Sequence, residues 1–438
     1  MNKKVVTAIL TATMVAATIS SGSMASEKKT NLVFWTGLAG QAGEVIQQVV
    51  DNYNSSQDRV YVELQYQGSY QESLNKLKTS MRTQDGPDLV QIYEAGTRQM
   101  IDSNFIIPMQ EIIEKYDIDT SGLEENMMNY YSIDDQLYSM PLNTSIPVCY
   151  YNKTILTELG YENGPQSWED IADISQKVID QGLAKSGIAL CSNLIWCFEQ
   201  PMVQQKYPMV DNDNGRSGWA TRSTFADGTL AVEIATMFKD LTDKGYTADV
   251  GFTIDANRAA FWSGDAVIMC DSSGSIRSSL ETIDGAYELG VCAFPGLTAD
   301  AENGGVTLGG GSVYVCDKGS DEKEEAIADF IKYIITPETQ GYIFAYTGYF
   351  PVTTAAMDQE LVKETLEKYP QYQAVIDSVK NSPNMGFGPL YGSLVDAREV
   401  YSGYLEQMML GEITPEECIS RSAEEVDVLI EEYNDINY

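Results

Sequence analysis

Residues 142–156 read LNTSIPVCYYNKTIL. The stretch starts with Asn143, Thr144 and Ser145, small polar residues typical of a loop. Residues 146–151 then turn apolar and aromatic, as a buried strand does. Pro147 fits the entry to a strand, where a missing N–H matters least. Asn152 ends the run, and its side chain suits the cap of a following helix. Cys149 reads as a small buried core residue with no assigned role.

Upstream, strand and helix patterns alternate. NLVFW (31–35) is a short strand, and AGEVIQQVVDNYN (42–54) carries Val45, Ile46, Val49 and Val50 at helical spacing. VYVELQY (60–66) alternates as a strand, 70–81 reads as a helix, and DLVQIY (88–93) reads as a buried strand. This order predicts a parallel α/β sheet.

Downstream, SWEDIADISQKVID (167–180) has Ser167 as N-cap, Asp170 three residues on, and a stripe of Trp168, Ile171, Ser175 and Val178. AVIMC (266–270) and ELGVCAF (288–294) read as strands. Residues 321–336 place Ile327, Phe330, Ile331 and Ile334 on one helical face. TPEE (414–417) is a capping box with Pro415 at the first helical position. The helix it opens turns Ile419, Val426, Leu429 and Ile430 inward, with Ile413 and Cys418 placed as a hydrophobic staple.

The 438 residues can build two cores, and 43% hydrophobic with 21% charged residues is ordinary for a globular chain. No repeat or low-complexity linker divides it, so two lobes are expected to interweave. Lys3 and Lys4, the apolar 5–19 and the small residues SMA at 23–25 predict a secretory signal peptide spanning 1–25. The alternative there is a retained anchor. A lipid-anchoring cysteine is missing after the apolar run, since the first cysteine is Cys149.

Net charge is −36, and −38 once the two signal lysines are gone. Such a surface repels nucleic acid and anionic headgroups. The chain has no histidine, which excludes Ser-His-Asp and Cys-His chemistry and every histidine metal site. Its seven cysteines are an odd number, so at least one is free; a Cys191–Cys197 disulfide stays open. VDNDNGRSG (210–218) has acids at Asp211 and Asp213, but Gly215 comes one place early for a calcium loop, so a plain turn is expected. No cofactor or metal is expected.

SSGS (272–275) and LGGGS (308–312) each border an apolar strand, where backbone can approach a ligand. QIYEAGT (91–97) puts Glu94 just past the end of a buried strand, which faces the crevice in open α/β sheets. Glu94 can equally be a solvated loop acid, and Arg398 a surface helix ion pair. Carboxylate pairs such as Asp134/Asp135 and Glu124/Glu125 sit in no motif above background among 64 acids. The 27 tyrosines and five tryptophans offer rings for sugar faces, most of them as core.

In this order, GSYQESL (68–74), QIYEAGT, NTSIPVCYYNK (143–153), SWEDIAD, FWSGDAVIM (261–269) with SSGS, LGGGSVYV, TGYFPVT (347–353) and LVDAREV (394–400) resemble the extracellular solute-binding proteins of ATP-binding-cassette importers. The glycerophosphate-binding branch is most similar, the maltodextrin-binding branch more distant. The likeness covers nearly the whole mature chain. It implies an α/β, two-lobed periplasmic-binding fold with three crossover segments, at LNTSIPV, MCDSSGS and LGGGSVY. Lobe 1 would be 26–145 and 272–309, lobe 2 146–271 and 310–438, closing by hinge motion.

The branch's ligand contacts fall on Tyr70, Glu94, Ser145, Ser272, Gly310, Tyr349 and Arg398, all with the family residue. Glu94 would accept from hydroxyls and Arg398 would bind an anionic group. Where the family lines the pocket with tryptophans, this chain has CSNLIWCFEQ (191–200) with Trp196 displaced by one position. Trp196 and Ser275 are further candidates. The implied function is capture of glycerol-3-phosphate or a glycerophosphodiester by a monomer that delivers it to a membrane permease, with no catalysis. The alternatives are the same role with a neutral sugar or oligosaccharide, and a secreted glycoside hydrolase, which needs two carboxylates facing across the cleft.

Overall fold

The computed structural model describes residues 29–80, 85–191, 198–301, 304–382 and 388–438. The expected signal peptide, Trp196 and Cys197 lie outside them.

Among the described residues twelve strands are formed: β1 Thr30–Thr36, β2 Val60–Tyr66, β3 Leu89–Tyr93, β4 Ile106–Ile107, β5 Ser132–Ile133, β6 Gln136–Leu137, β7 Met140–Ser145, β8 Pro147–Asn152, β9 Ser186–Ala189, β10 Ala266–Ser272, β11 Leu289–Ala293 and β12 Gly309–Cys316. The first sheet runs β2-β1-β3-β12-β4, with β7 on β12; the second runs β11-β8-β10-β9. β1 is parallel to β2 and β3, whereas β12 is antiparallel to β3 and β7. In β1 the buried Leu32, Phe34 and Thr36 alternate with more exposed residues, the period of a strand with one covered face. In β3, residues 89–92 are all buried, as expected where both faces are covered.

Helix Gly40–Ser56 buries Val45, Ile46, Val49 and Val50, and adds Tyr53. Helix Trp168–Asp180 has the expected box: Ser167 Oγ accepts from the Asp170 N–H at 3.1 Å, and Asp170 accepts from the Ser167 N–H at 3.2 Å. Ile174 joins its buried stripe. The 321–336 pattern forms helix Asp321–Ile334. Helix Pro415–Asn437 is boxed by Thr414 and Glu417; Cys418, Ile419, Val426 and Ile430 are buried, while Leu429 is only half-buried. Residues 211–215 form a left-handed turn, with Asp211 accepting from the Thr221 N–H at 2.7 Å.

The stretch 142–156 joins the two sheets. β7 ends at Ser145, β8 begins at Pro147, and only Ile146 lies between them. Asn152 Oδ1 caps helix Lys153–Glu158 by accepting from the Ile155 N–H at 3.1 Å.

One expected crossing is absent, and another runs in the opposite direction. After β10 the chain does not leave: the Ser273 N–H donates to the Ile146 carbonyl at 2.8 Å, and β11 pairs with β8 in the second sheet. Residues 289–293 therefore belong with β8 and not with lobe 1. LGGGSVY is the return crossing, because β12 pairs with β3 and β7 of the first sheet, so 310–316 leave lobe 2. The last crossing follows helix Pro337–Thr347, which packs on Gly40–Ser56; helix Gln373–Lys380 packs on β11. Both small-residue runs border strands, and only the distant pairing partner tells them apart.

Candidate functional site

A cleft of about 590 Å³ opens where these crossings meet, and Tyr70, Glu94, Ser145, Ser272, Ser275, Gly310, Tyr349 and Arg398 all line it. Eight positions spread over more than three hundred residues thus converge on one cavity. Trp196 lies outside the described residues.

The first sheet supplies Glu94, which opens a single 3-10 turn directly after β3. Tyr70 starts helix Tyr70–Ser80 and stacks on Tyr93, ring centres 5.3 Å apart and planes 8° apart. A relay fixes Tyr70: Thr36 Oγ1 donates to Gln91 Oε1 at 2.6 Å, Gln91 Nε2 to Asn143 Oδ1 at 2.5 Å, and Asn143 Nδ2 to the Tyr70 hydroxyl at 3.0 Å. The Tyr70 oxygen is accepting, so its own proton points elsewhere. Burial holds Tyr70 well above the usual tyrosine range and raises Tyr349 as well, so both remain donors.

Arg398, on helix Leu394–Met409, is held from two sides. Its Nη1 donates to Glu94 Oε1 at 2.6 Å, while Nε and Nη2 grip Glu199 at 2.7 and 2.8 Å. Tyr401 also donates to Glu199. Burial works against the Arg398 charge, but Glu199 and Glu94 prevail and hold it above the ordinary arginine range. Burial pushes the Glu94 carboxyl up, against the pull of Arg398. The alternative reading of Arg398, a surface ion pair, gives way to a buried triad of one cation and two anions. It ties the end of β3 to Glu199, whose helix Glu199–Gln204 packs with the second lobe's helix Leu230–Asp243.

The opposite wall carries a second guanidinium that the sequence reading did not single out. Arg258 Nε and Nη2 donate to Asp271 at 2.6 and 3.0 Å, and Nη2 reaches Ser275 Oγ at 2.8 Å. Its Nη1 makes no hydrogen bond to a described residue, and Arg258 lines the cleft. Burial opposes its charge, but Asp271 prevails and raises it above the ordinary range. One signal was present in the sequence: Asp271 directly follows the apolar run 266–270, and a buried carboxylate requires a cationic partner. Glu199 gave no such signal, since its partners lie 199 and 202 residues away.

The turn after β10 is built for close approach. Ser272 Oγ accepts from the Gly274 N–H at 3.1 Å, and the Ser272 carbonyl accepts from the Tyr150 hydroxyl at 2.5 Å. A Cβ on Gly274 would lie 2.5 Å from the Tyr349 ring, so Tyr349 lies directly over this backbone. Among the described residues, no cluster of three metal-ligating side chains is present and no helix is long and apolar enough to cross a membrane.

Comparison with known proteins places this cleft in context. The sn-glycerol-3-phosphate-binding periplasmic protein of Yersinia pseudotuberculosis is 28% identical over 430 residues, 96% of each chain. Two solved structures are similar at 18% identity. One is the GacH receptor of Streptomyces glaucescens, studied unliganded and with acarbose (TM-score 0.78, 93% of this chain and 100% of that one). The other is UgpB of Mycobacterium tuberculosis with glycerophosphocholine (TM-score 0.76, 92% and 99%). Residues 48–374 match the family described as bacterial extracellular solute-binding protein, and the chain belongs to that family.

Proposed function

We propose that this protein captures a glycerophosphate ester in the cleft by lobe closure and hands it, as a monomer, to the permease of an ATP-binding-cassette importer. The observation that carries this reading is one cavity holding the Glu94 carboxylate and the Arg258 guanidinium on different walls. A carboxylate has about four acceptor sites, and Arg398 uses one on Glu94, which leaves capacity for glycerol hydroxyls. Ser272, Ser275, Tyr349 and the open edge of Arg258 form a donor set for phosphate oxygens.

Charge refines the ligand. Arg398 with Glu94 and Glu199 sums to −1, and Arg258 with Asp271 sums to zero. A site without net positive charge disfavours a dianionic monoester against a monoanionic diester. We therefore place glycerophosphodiesters above glycerol-3-phosphate. The glycerophosphocholine-bound relative supports this order. The same balance, with the Tyr70–Tyr93 stack, also favours the second reading, a neutral sugar; the acarbose-bound relative is its support. For hydrolysis, the cleft-lining acids are Glu94 and the exposed Glu399. Glu94 is engaged by Arg398, and the relatives are named as binding proteins.

The test is calorimetry on Arg258→Gln. A charge-assisted hydrogen bond is worth about 1.5–3 kcal/mol, so affinity for glycerophosphodiesters should fall by roughly 10- to 100-fold. Folding, followed by circular dichroism, should be retained. Unchanged diester affinity in a folded variant would remove Arg258 from the site.

A further inference from the structure

Three thiols lie in a row across the second sheet. Cys149 of β8 stands directly opposite Cys270 of β10 on one side and Cys292 of β11 on the other. Directly opposed residues share a face, so all three side chains project into the core that contains Trp168 and Phe238. Cys149 is fully buried, Cys270 is 7% exposed, and Cys292 is the most accessible.

Hydrogen-bond parity separates the two pairs. The Ser273 N–H donates to the Ile146 carbonyl at 2.8 Å, making Ile146–Ser273 a hydrogen-bonded pair. Pairs alternate along an antiparallel ladder, so Cys149–Cys270, three steps on, is a non-hydrogen-bonded pair. The Lys153 N–H donates to the Glu288 carbonyl at 2.8 Å. Four steps back, that parity makes Cys149–Cys292 a hydrogen-bonded pair. Non-hydrogen-bonded partners have Cα atoms about 4.5 Å apart with closer side chains, against about 5.5 Å for the other kind. A disulfide needs Cβ atoms about 3.5–4.5 Å apart, which favours Cys149–Cys270. The outer thiols sit two strand spacings apart, about 9.6 Å, too far to converge with Cys149 on one metal ion.

We propose that Cys149 and Cys270 are joined as a cross-strand disulfide by exchange with a disulfide-bearing oxidant, with Cys292 as the entry thiol. The Cys292 thiolate attacks the oxidant RSSR and forms a mixed disulfide; one RSH leaves with the Cys292 proton. Cys149 displaces the second RSH and bonds to Cys292. Cys270 then attacks the Cys149 sulfur, and Cys292 departs as a free thiol. Two hydrogens and two electrons pass from Cys149 and Cys270 to the oxidant. The bond staples the strand that begins just after Ser145 to the strand that ends at Ser272, two residues of the cleft.

The experiment incubates the folded chain with oxidised glutathione, blocks remaining thiols by alkylation and digests with trypsin without reduction. Cleavage after Lys115, Lys153, Arg258, Arg277 and Lys318 puts the three cysteines in separate peptides, 116–153, 259–277 and 278–318; the last also holds Cys316, and fragment ions assign its linkages to Cys292 or Cys316. A 116–153 to 259–277 linkage is expected. In Cys292→Ser it should form at least about tenfold more slowly, since the remaining thiols are buried. In Cys270→Ala, checked for folding by circular dichroism, the linkage should move to 278–318. Complete alkylation of Cys149 and Cys270 after prolonged oxidation would overturn the proposal, as would a dominant Cys149–Cys292 bond in the unmodified chain.

Discussion

Arg398→Ala is expected to lose both ligand binding and a large part of its folding stability. The guanidinium makes three bonds to two buried carboxylates, Glu94 and Glu199. Removing it leaves two buried anions facing each other without compensation. Breaking a buried pair by deleting one partner costs about 3–5 kcal/mol, because the survivor is stranded. Urea denaturation should show a loss in that range, and calorimetry no measurable binding. The two effects can be separated. Arg398→Met combined with Glu94→Gln and Glu199→Gln removes all three charges, and stability should recover by at least about 2 kcal/mol, since apolar replacement of a buried ionic cluster is often close to neutral. Binding should stay lost, because Glu94 is then no longer an anion able to accept strongly from hydroxyls. A stable Arg398→Ala single variant would mean that water or a rearranged partner reaches the triad.

Gly310→Ala is expected to disrupt the return crossing. Gly310 has φ +86°, a conformation that side chains rarely adopt, and an added Cβ would lie 1.9 Å from the Asn143 carbonyl oxygen and 3.0 Å from the Ser145 N. Both neighbours are backbone of β7, which is paired on β12 and cannot swing aside as a side chain could. Left-handed strain alone costs about 1–3 kcal/mol, and the clash adds to it. Stability should drop by more than about 3 kcal/mol. Affinity should fall as Ser145 and Asn143, the support of Tyr70, are displaced. Gly403→Ala is the contrast. Gly403 lies in helix Leu394–Met409 and an added Cβ meets nothing within 4 Å, so that variant should gain about 0.5–1 kcal/mol.

What could be read from the sequence was local. Apolar periodicity placed the helices that bury Val45 to Val50 and Trp168 to Val178, and Ser167, Thr414 and Asn152 cap as read. The cleft residues were placed through a resemblance spread along the chain, and they do share one cavity. What could not be read depended on distant partners. SSGS and LGGGS look alike in composition, yet one stays in its sheet and the other returns to the first. Arg398 offered no local sign that Glu94 and Glu199, 304 and 199 residues away, would both claim it. The opening stretch shows the same division: its strand and cap were plain, but the ladder of Cys149 with Cys270 and Cys292 exists only through strand register.

Whether the ligand is a glycerophosphate ester is tested most directly by thermal shift with glycerophosphodiesters, glycerol-3-phosphate and maltose side by side. A ligand that binds only the folded state stabilises it by about 2.7 kcal/mol at a hundredfold excess over Kd. The largest rise in Tm is expected with a glycerophosphodiester, a smaller rise with glycerol-3-phosphate and none with maltose. A rise with maltose and none with either ester would refute a glycerophosphate ligand.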